Sequence, residues 1–337
     1  MNFEQALVKD PEDCYALVGL GDLERESNAT DAALAYYARC LATDPNNHFA
    51  LFGAAEALRL AERYAQAAET WEQYLATHDT DVQVLTRAAD CNRKAHNKRR
   101  AEELYRKALA EEQDNPYALI GLGHLQYETG DYRGALGSWR QVYERDRNGA
   151  DVRILTSLGN CYRKLHRYNE GLRFFEAALE LEHDNFYALY GLADCYRGIR
   201  QPERSLDYWR RILDTDPNNR IILTRAGDAY RALGWAEQAA DHYRRALEQG
   251  FDEYACLGLA ILNREAGDLQ GAEAQMSDLA AKAPGNARVH VELARTLEEL
   301  GSIDGAVHTL EEFLHRHPGA AGGAAGRALT RLRSLEE

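Results

Sequence analysis

The chain has 337 residues, 45% of them hydrophobic and 28% charged, which is the composition of an ordinary folded protein. Its formal net charge of −14 argues against a surface built for nucleic acid or anionic lipid, because such surfaces concentrate Lys and Arg. No stretch approaches the roughly 18 apolar residues that a membrane helix needs, and the first ten residues do not read as a signal peptide. We expect no nucleic-acid partner, no membrane insertion and a cytoplasmic location, with a periplasmic or secreted location as the alternative if a signal lies upstream.

Ala, Leu, Glu and Arg dominate and only seven prolines occur, which favours an all-α protein. The six cysteines lie inside helical patterns, with no CxxC pair and no His at metal spacing. We expect buried, reduced thiols, which Cys tolerates well. These cysteines are Cys14, Cys40, Cys91, Cys161, Cys195 and Cys256.

In chain order, residues 1–13 come first and resemble the last two turns of an amphipathic helix. Phe3, Ala6 and Leu7 are apolar, and Pro11 marks a stop. A pattern with a period near 34 residues follows. It is seen in ALVGLGDLERESNATDAALAYYARCLATDPNN from Ala16, in ALIGLGHLQYETGDYRGALGSWRQVYERDRN from Ala118 and in ALYGLADCYRGIRQPERSLDYWRRILDTDPNN from Ala188.

Nine copies fit this pattern, each a first helix, a turn and a second helix. Their predicted boundaries are 14–47, 48–81, 82–115, 116–151, 152–185, 186–219, 220–252, 253–286 and 287–318. A small residue on the first helix recurs in every copy, which predicts two closely packed helices. The large residue of each second helix, here called its knob, is Tyr37, Trp71, Tyr105, Trp139, Phe175, Trp209, Tyr243, Met276 or Leu310.

This pattern closely resembles the tetratricopeptide repeat (TPR) family over nearly the whole chain. The resemblance implies a right-handed α-solenoid of about nine helix pairs whose first helices line a concave, peptide-binding groove. Residues 1–13 are then the tail helix of a truncated upstream repeat, with Phe3 as its knob. Residues 319–337 read as a C-terminal capping helix with Ala328, Leu332 and Leu335 on one stripe.

The copies alternate between two kinds, so the longer unit spans about 68–70 residues. The interval between copies is 33 or 34 residues, except for 36 between the fourth and fifth. The extra residues lie around Arg147, Asn148 and Gly149, and we expect a local bend there, with a longer helix as the alternative.

No dinucleotide loop, P-loop, nucleophile elbow, zinc motif or calcium loop is present. We therefore predict no enzyme activity, no cofactor and no metal site. The binding candidates are the side chains of the first helices. One kind of copy offers apolar and aromatic pairs: Phe49 and Phe52, Tyr117 and Ile120, Tyr187 and Tyr190, Tyr254 and Leu257. The other offers Thr86 with Arg87, Thr156 with Ser157, and Thr224 with Arg225.

Such a surface suits an extended or helical peptide, with apolar anchors giving affinity and Arg giving orientation. The alternative is that many of these rings are buried against the adjacent repeat. Arginines recur further along the first helices, and most follow an acid by three residues, which predicts ion pairs. These pairs are Asp22 and Arg25, Glu56 and Arg59, Asp90 and Arg93, Asp194 and Arg197, Asp228 and Arg231.

The fourth and fifth copies depart from that pairing. His124 and Tyr127 replace the acid and the arginine, and Asn160 replaces the acid before Arg163. Arg153 and Lys164 add positive charge nearby, so we place the specific site here. A second basic segment, CNRKAHNKRRAEELYRK from Cys91, is either a dock for an acidic partner or a solvated turn.

The preferred hypothesis is a non-catalytic scaffold that binds an unidentified peptide or protein segment. One alternative is the targeting or regulatory region of a larger enzyme whose catalytic domain lies upstream. Another is a homo-oligomer formed through the N-terminal repeat face, which Phe3→Glu or Leu7→Glu would dissolve.

Overall fold

A computed structural model describes residues 3–78, 81–147, 149 and 151–334. Within these residues the regular structure consists of 20 α-helices and one short 3-10 helix, Pro318–Ala320, with no strand. Helix α1 is Phe3–Lys9 and helix α20 is Ala324–Arg333. The first helices are α2 (Cys14–Glu26), α4 (His48–Leu60), α6 (Val82–Lys94), α8 (Pro116–Glu128), α10 (Val152–Lys164), α12 (Phe186–Gly198), α14 (Arg220–Ala232), α16 (Glu253–Glu265) and α18 (Ala287–Glu299). The second helices are α3 (Thr30–Thr43), α5 (Tyr64–Thr77), α7 (Lys98–Glu111), α9 (Tyr132–Arg145), α11 (Tyr168–Leu181), α13 (Pro202–Thr215), α15 (Ala236–Glu248), α17 (Leu269–Lys282) and α19 (Ile303–Arg316).

The all-α prediction is confirmed, and consecutive helices pack in pairs as expected of an α-solenoid. We propose that each pair is one copy, with the boundaries given above. The chain divides into two compact units, residues 1–165 (unit 1) and 166–337 (unit 2). Unit 1 contains α1 to α10, and unit 2 contains α11 to α20.

Each first helix begins at an Asp or Asn N-cap. For example, Asn47 Oδ1 accepts a hydrogen bond of 3.1 Å from the backbone N–H of Ala50, and Asp81 Oδ1 accepts one of 2.8 Å from Val84. Such caps satisfy backbone donors that the first helical turn leaves without partners. The turn after each first helix passes through a residue with positive φ, such as Gly130 at 84°. This turn reverses the chain, so the second helix packs against the first.

The first helices also contact one another within each unit. In unit 1, α2 packs against α4 and α6 against α8; in unit 2, α14 packs against α16. No two second helices make comparable contact in the described part of the chain. The first helices therefore form the closely packed side of each unit.

The first, third, fifth and seventh copies bury a Tyr or Phe knob against a glycine of the next first helix. Tyr37 is fully buried between Gly21 of its own copy and Gly53, the sixth residue of the next first helix. A Cβ atom at Gly53 would lie 2.5 Å from Tyr37 Cζ, so any larger residue would collide with the ring. The same arrangement joins Tyr105 to Gly121, Phe175 to Gly191 and Tyr243 to Gly258.

The second, fourth and sixth copies carry Trp knobs, which contact aromatic or polar groups of their own first helix. The ring of Trp71 lies edge-on to Phe52 at 5.3 Å, and that of Trp209 lies edge-on to Tyr190 at 5.1 Å. Trp139 Nε1 donates to the Ile120 carbonyl oxygen at 3.3 Å. The two-copy alternation read from the sequence thus corresponds to two kinds of knob.

The N-terminal helix and the extra residues after the fourth copy can be compared with their predictions. Phe3 lies against Gly19 as Tyr37 lies against Gly53, which is the position expected of a knob. Helix α9 has 14 residues like its counterparts, so the extra residues after the fourth copy lie in the connection and the longer-helix alternative is wrong. Asn148, named in that prediction, lies outside the described residues.

Helix α20 closes the last helix pair of unit 2. It buries Ala325, Leu329 and Leu332 against a cluster that includes Leu310 and Phe313 of α19. Of the predicted stripe, Leu332 is buried and Ala328 is half-buried, whereas Leu335 lies outside the described residues.

We expect Gly53→Ala to destabilise the protein. Alanine gains about 1 kcal/mol of helix propensity over glycine. Displacing a fully buried ring that is held on both sides costs about 2–3 kcal/mol. The net loss of about 1–2 kcal/mol should lower the urea concentration at the unfolding midpoint, followed by circular dichroism at 222 nm.

Gly137→Ala is the matched control. Gly137 is exposed in the middle of α9, and a Cβ atom there meets no atom within 4 Å. This substitution should raise stability by about 0.5–1 kcal/mol. Midpoints that move in the same direction in both variants would contradict the knob arrangement.

Candidate functional site

The second residue of many first helices is an exposed aromatic. Phe49 and Tyr117 in unit 1 are 62% and 74% exposed. Tyr187 and Tyr254 in unit 2 are 67% and 42% exposed. These four predicted binding residues are therefore available to a ligand on the first-helix face of their unit.

The fifth residue of the first helices is mostly structural, contrary to the predicted surface stripe. Phe52 and Tyr190 are half-buried against the Trp knobs of their own copies. Leu257 is 1% exposed and belongs to the core of unit 2. Sequence periodicity places the fifth residue of a first helix on the same helical stripe as the second residue. The second helix of the copy covers the fifth residue, however, and leaves the second residue exposed.

The threonines predicted beside the aromatic ledges are also buried. Thr156 Oγ1 donates to the Val152 carbonyl oxygen at 2.8 Å, and Thr86 Oγ1 donates to the Gln83 carbonyl oxygen at 2.9 Å. Thr224 is buried too and donates to the carboxylate of Asp252 at 3.3 Å. Their hydroxyls stabilise the first helices. The three threonines are therefore core residues, and the prediction that they lie on the binding surface was wrong.

Four of the five predicted acid–arginine pairs are confirmed. Salt bridges join Arg25 to Asp22 at 3.0 Å, Arg59 to Glu56 at 2.8 Å, Arg197 to Asp194 at 2.6 Å and Arg93 to Asp90 at 3.9 Å. Each links residues three apart on one helix, an arrangement worth about 0.2–0.5 kcal/mol.

Two arginines reach the next first helix, Arg93 in addition to its predicted pair and Arg231 in place of it. Arg93 of α6 pairs with Glu128 of α8 at 2.5 Å, and Arg231 of α14 pairs with Glu265 of α16 at 2.9 Å. Asp90, the predicted partner of Arg93, accepts a hydrogen bond from the Tyr105 hydroxyl. Asp228, the predicted partner of Arg231, accepts one of 2.9 Å from the Tyr243 hydroxyl. The Tyr105 hydroxyl therefore shares Asp90 with Arg93, and the Tyr243 hydroxyl takes the carboxylate that the spacing had assigned to Arg231.

Two further predicted binding cations are engaged by acids. Arg87 pairs with the buried carboxylate of Glu56 at 2.6 Å and lies 5.4 Å from the Phe52 ring centroid. Arg225 lies 3.8 Å from the Asp228 carboxylate. Both side chains are about 30% exposed, 32% and 29%. Their charge is largely compensated within the protein.

Helix α8 differs from the other first helices of unit 1. His124 lies edge-on to Trp139 at 5.2 Å. Burial, together with the charge of Arg93, lowers the pKa of His124 below its usual value, so the ring is neutral at pH 7. The Tyr127 ring packs 5.1 Å from Tyr132, and burial raises the pKa of its phenol.

Helix α10 brings cations to the same region. Arg153 is 90% exposed, and its salt bridge of 2.8 Å runs to its helix cap Asp151. Lys164 is exposed, with Nζ 5.9 Å from the Tyr132 ring centroid. Arg163 is half-buried and donates to Asn160 Oδ1 at 3.1 Å. Its charge and its hydrogen bond to Tyr127 partly offset the burial that raises the pKa of that phenol. The structure thus joins Tyr127, Arg163 and Lys164 into one surface of unit 1.

The basic segment that begins at Cys91 is internally paired. Arg100 makes two hydrogen bonds of 2.8 Å to Glu72, and Arg99 pairs with Glu103 at 3.2 Å. Lys94 Nζ donates to the Tyr64 hydroxyl at 2.8 Å. These contacts favour the solvated-turn interpretation over a dock for an acidic partner.

The cysteines offer little reactivity. Cys40, Cys91, Cys161 and Cys195 are buried, whereas Cys14 and Cys256 are half-buried, which corrects the expectation of six buried thiols. Burial raises the pKa of Cys91 and of Cys161 to about 12, so neither is a thiolate at neutral pH.

Sequence reasoning missed a cleft at the beginning of unit 1. It encloses about 470 Å³ between α1, α2 and the start of α4, with Phe3, Tyr15 and Phe49 among its lining residues. Tyr15 is 80% exposed and stands at the same helix position as Phe49. The shared helix position of Tyr15 and Phe49 was the sequence signal that could have identified the cleft.

The described residues lack two structural features. None of their helices has the length and apolar character needed to cross a membrane. In the same part of the chain, no three His, Cys, Asp or Glu side chains are grouped so that they could hold a metal ion.

Two family models, both described as tetratricopeptide repeat, match the chain. Their matches cover residues 2–48, 94–158, 156–220, 196–255 and 263–329. The chain belongs to the tetratricopeptide repeat family. No curated protein sequence matches this TPR protein.

Solved TPR structures resemble the chain in fold. A tetratricopeptide repeat protein from Parabacteroides merdae has 15% identity and a TM-score of 0.57, covering 74% of this chain and 98% of its own. The C-terminal part of a TPR repeat-containing protein from Cytophaga hutchinsonii has 14% identity and a TM-score of 0.60, covering 72% and 99%. YrrB, described as a TPR protein with an unusual peptide-binding site, has 20% identity and a TM-score of 0.50, covering 56% and 97%. At these identities the similarity shows the fold alone.

The different roles of the second and fifth residues predict different costs of substitution in this TPR protein. Tyr190→Ala should destabilise unit 2 by about 2–3 kcal/mol, because it removes a ring packed on the buried Trp209. Tyr187→Ala, at an exposed ring, should change stability by about 0.5 kcal/mol or less. Urea unfolding measures both, and equal losses in the two variants would refute the distinction.

Proposed function

We propose that this TPR protein is a non-catalytic interaction scaffold that binds an acidic peptide segment of a partner protein on helices α8 and α10. TPR folds are typical of protein–protein interaction scaffolds. The candidate surface, here called the cationic site, consists of His124, Tyr127, Arg153, Arg163 and Lys164. The exposure of Arg153 and Lys164 is the observation that carries the proposal.

The exposure of Arg153 distinguishes this surface from the other described arginines on the first helices of unit 1. The side chains of Arg25, Arg87 and Arg93 are 14–32% exposed and bound to carboxylates. Arg153 is 90% exposed, and its pair with Asp151 is of the solvent-exposed kind that contributes about 0–1 kcal/mol. A carboxylate of a partner can therefore replace or join Asp151 at little cost.

The aromatic groups give the surface its apolar component. Tyr117 opens α8 with a ring that is 74% exposed, while Tyr127 and Tyr132 form a packed pair further along. Lys164 Nζ is held near this pair by its contact with the Tyr132 ring. A segment with an apolar side chain against Tyr117 and carboxylates toward Arg153 and Lys164 would use both kinds of group.

A pull-down from native lysate tests the proposal with three baits. The first is the parent protein, and the second carries Arg153→Glu with Lys164→Glu. The third, a matched control, carries Arg133→Glu with Lys98→Glu. It has the same charge change at exposed positions of the second helices α9 and α7. Captured proteins are identified by mass spectrometry.

We expect a partner that the parent and the control retain and that the Arg153/Lys164 variant loses. Capture should also weaken in 0.5 M NaCl, because exposed charges are screened at high salt. Equal capture by all three baits would contradict a site on α8 and α10. Loss in the control alone would move the site to the second-helix surface, and a parent that captures no protein would also contradict the proposal.

A further inference from the structure

The first helix pair carries two cysteines whose side chains face each other. Cys14 is the first residue of α2, and Cys40 lies in the last turn of α3. The start of α2 lies beside the end of α3, because the turn between the two helices reverses the chain. Cys14 Sγ donates a hydrogen bond of 3.5 Å to the Cys40 carbonyl oxygen. The two cysteines are therefore in direct contact across one helix pair.

The two thiols also interact with each other. Burial, together with a hydrogen bond from the Cys14 side chain, raises the pKa of Cys40 to about 12. Both residues belong to the apolar cluster around Leu17 and Tyr37. A disulfide needs two side chains that point toward each other from backbones about 4–7 Å apart. This pair has facing side chains on closely packed helices, so the bond can form without unfolding the helix pair.

The two thiols differ in their access to solvent. Cys14 is half-buried, whereas Cys40 is fully buried. A small oxidant can therefore reach Cys14 directly, and Cys40 is placed to react with the oxidised sulfur of Cys14. The exposure of Cys14 is ordinary for its helix position. Val82 and Pro116 begin first helices that follow a complete copy, and both are half-buried too.

The pair is particular to the first copy. The other four cysteines lie in four different copies, so none of those copies contains a second cysteine. At the two positions that Cys14 and Cys40 occupy, other copies carry apolar residues, such as Val82 with Ala108 or Val152 with Ala178. Packing at this place is therefore possible without sulfur, and a pair of thiols adds a chemistry that packing does not require.

We propose that Cys14 and Cys40 form a reversible disulfide, which fastens α2 to α3 when the protein meets a hydroperoxide. The Cys14 thiolate attacks one peroxide oxygen. The O–O bond breaks, Cys14 becomes a sulfenic acid, and the leaving oxygen takes up the proton that Cys14 released. The Cys40 sulfur then attacks the sulfenic sulfur. An S–S bond forms, the S–O bond breaks, and hydroxide leaves as water with the Cys40 proton.

This reaction oxidises each sulfur by one electron and reduces the peroxide by two. A dithiol reverses it by thiol–disulfide exchange, which returns both cysteines to thiols. The bond closes the chain between residues 14 and 40 and so removes extended conformations from the unfolded state. We expect the oxidised protein to open less often at its first helix pair, while the cationic site on α8 and α10 is unaffected.

Peptide mapping tests whether the bond forms. The reduced protein is freed of reductant and treated with hydrogen peroxide. The remaining thiols are blocked with N-ethylmaleimide in urea, and the protein is digested with trypsin. Cleavage after Lys9, Arg25, Arg39 and Arg59 releases Cys14 in peptide 10–25 and Cys40 in peptide 40–59. We expect these two peptides to be joined, with two hydrogen atoms fewer than their sum, and to be separated by dithiothreitol.

Two single variants provide the matched comparison. Cys14→Ser removes the thiol that the oxidant reaches, and Cys256→Ser removes a thiol that is half-buried to a similar degree in unit 2. We expect the joined peptides in Cys256→Ser and not in Cys14→Ser. Hydrogen exchange measures the consequence. Amides of α2 and α3 should exchange about tenfold or more slowly after oxidation of the parent and of Cys256→Ser, with no change in Cys14→Ser.

Four results would overturn the inference. They are peptides 10–25 and 40–59 that stay separate after oxidation, a Cys14 that is joined to a second molecule, a Cys14 that is oxidised to a sulfinic acid without a bond to Cys40, and exchange in α2 and α3 that is unchanged or faster in the oxidised parent. The last result would leave a disulfide that does not fasten the helix pair.

Discussion

The burial of an aromatic ring against a glycine of the next first helix is the constraint on which this structure depends. Tyr37 lies between Gly21 of its own copy and Gly53 of the next, and Tyr105, Phe175 and Tyr243 each lie against the corresponding glycine of the next first helix. A helix pair of about 34 residues cannot bury enough surface to fold alone, so contacts to the neighbouring copy supply the stability. The knob is such a contact, because it joins two first helices and one second helix at a single point.

The same contact explains how charge is distributed on the first helices. Where the knob is Tyr, its hydroxyl donates to an acid of its own first helix, as Tyr243 does to Asp228. In the third and seventh copies the arginine also reaches the following first helix, as Arg231 does to Glu265, whereas Arg25 of the first copy stays with Asp22. Several first-helix arginines are thereby committed to holding copies together. A ligand site is expected where this commitment lapses, and α8 has neither the acid nor the arginine.

Much of the fold could be predicted from the sequence, because the 34-residue period, the Asp or Asn caps and the small residues are local signals. The surface was harder to predict. Phe49 and Phe52 lie on one stripe of α4, yet only Phe49 is exposed, because Trp71 of the second helix covers Phe52. Helical spacing also predicted Asp90 as the partner of Arg93, whereas Glu128, 35 residues away, lies closer. The burial of Phe52 and the additional Glu128 partner of Arg93 both arise from contacts between helices, which periodicity within one helix does not report.

A double-mutant cycle at the knob of the fifth copy tests the central claim most directly. Phe175 is fully buried against Gly191, and it has no hydroxyl that would add a second interaction. We predict that Gly191→Ala destabilises the parent protein and that its cost in the Phe175→Leu background is smaller by about 1 kcal/mol or more, since a smaller side chain leaves room for the new methyl group. Equal costs of Gly191→Ala in the two backgrounds, measured by urea unfolding, would contradict the account.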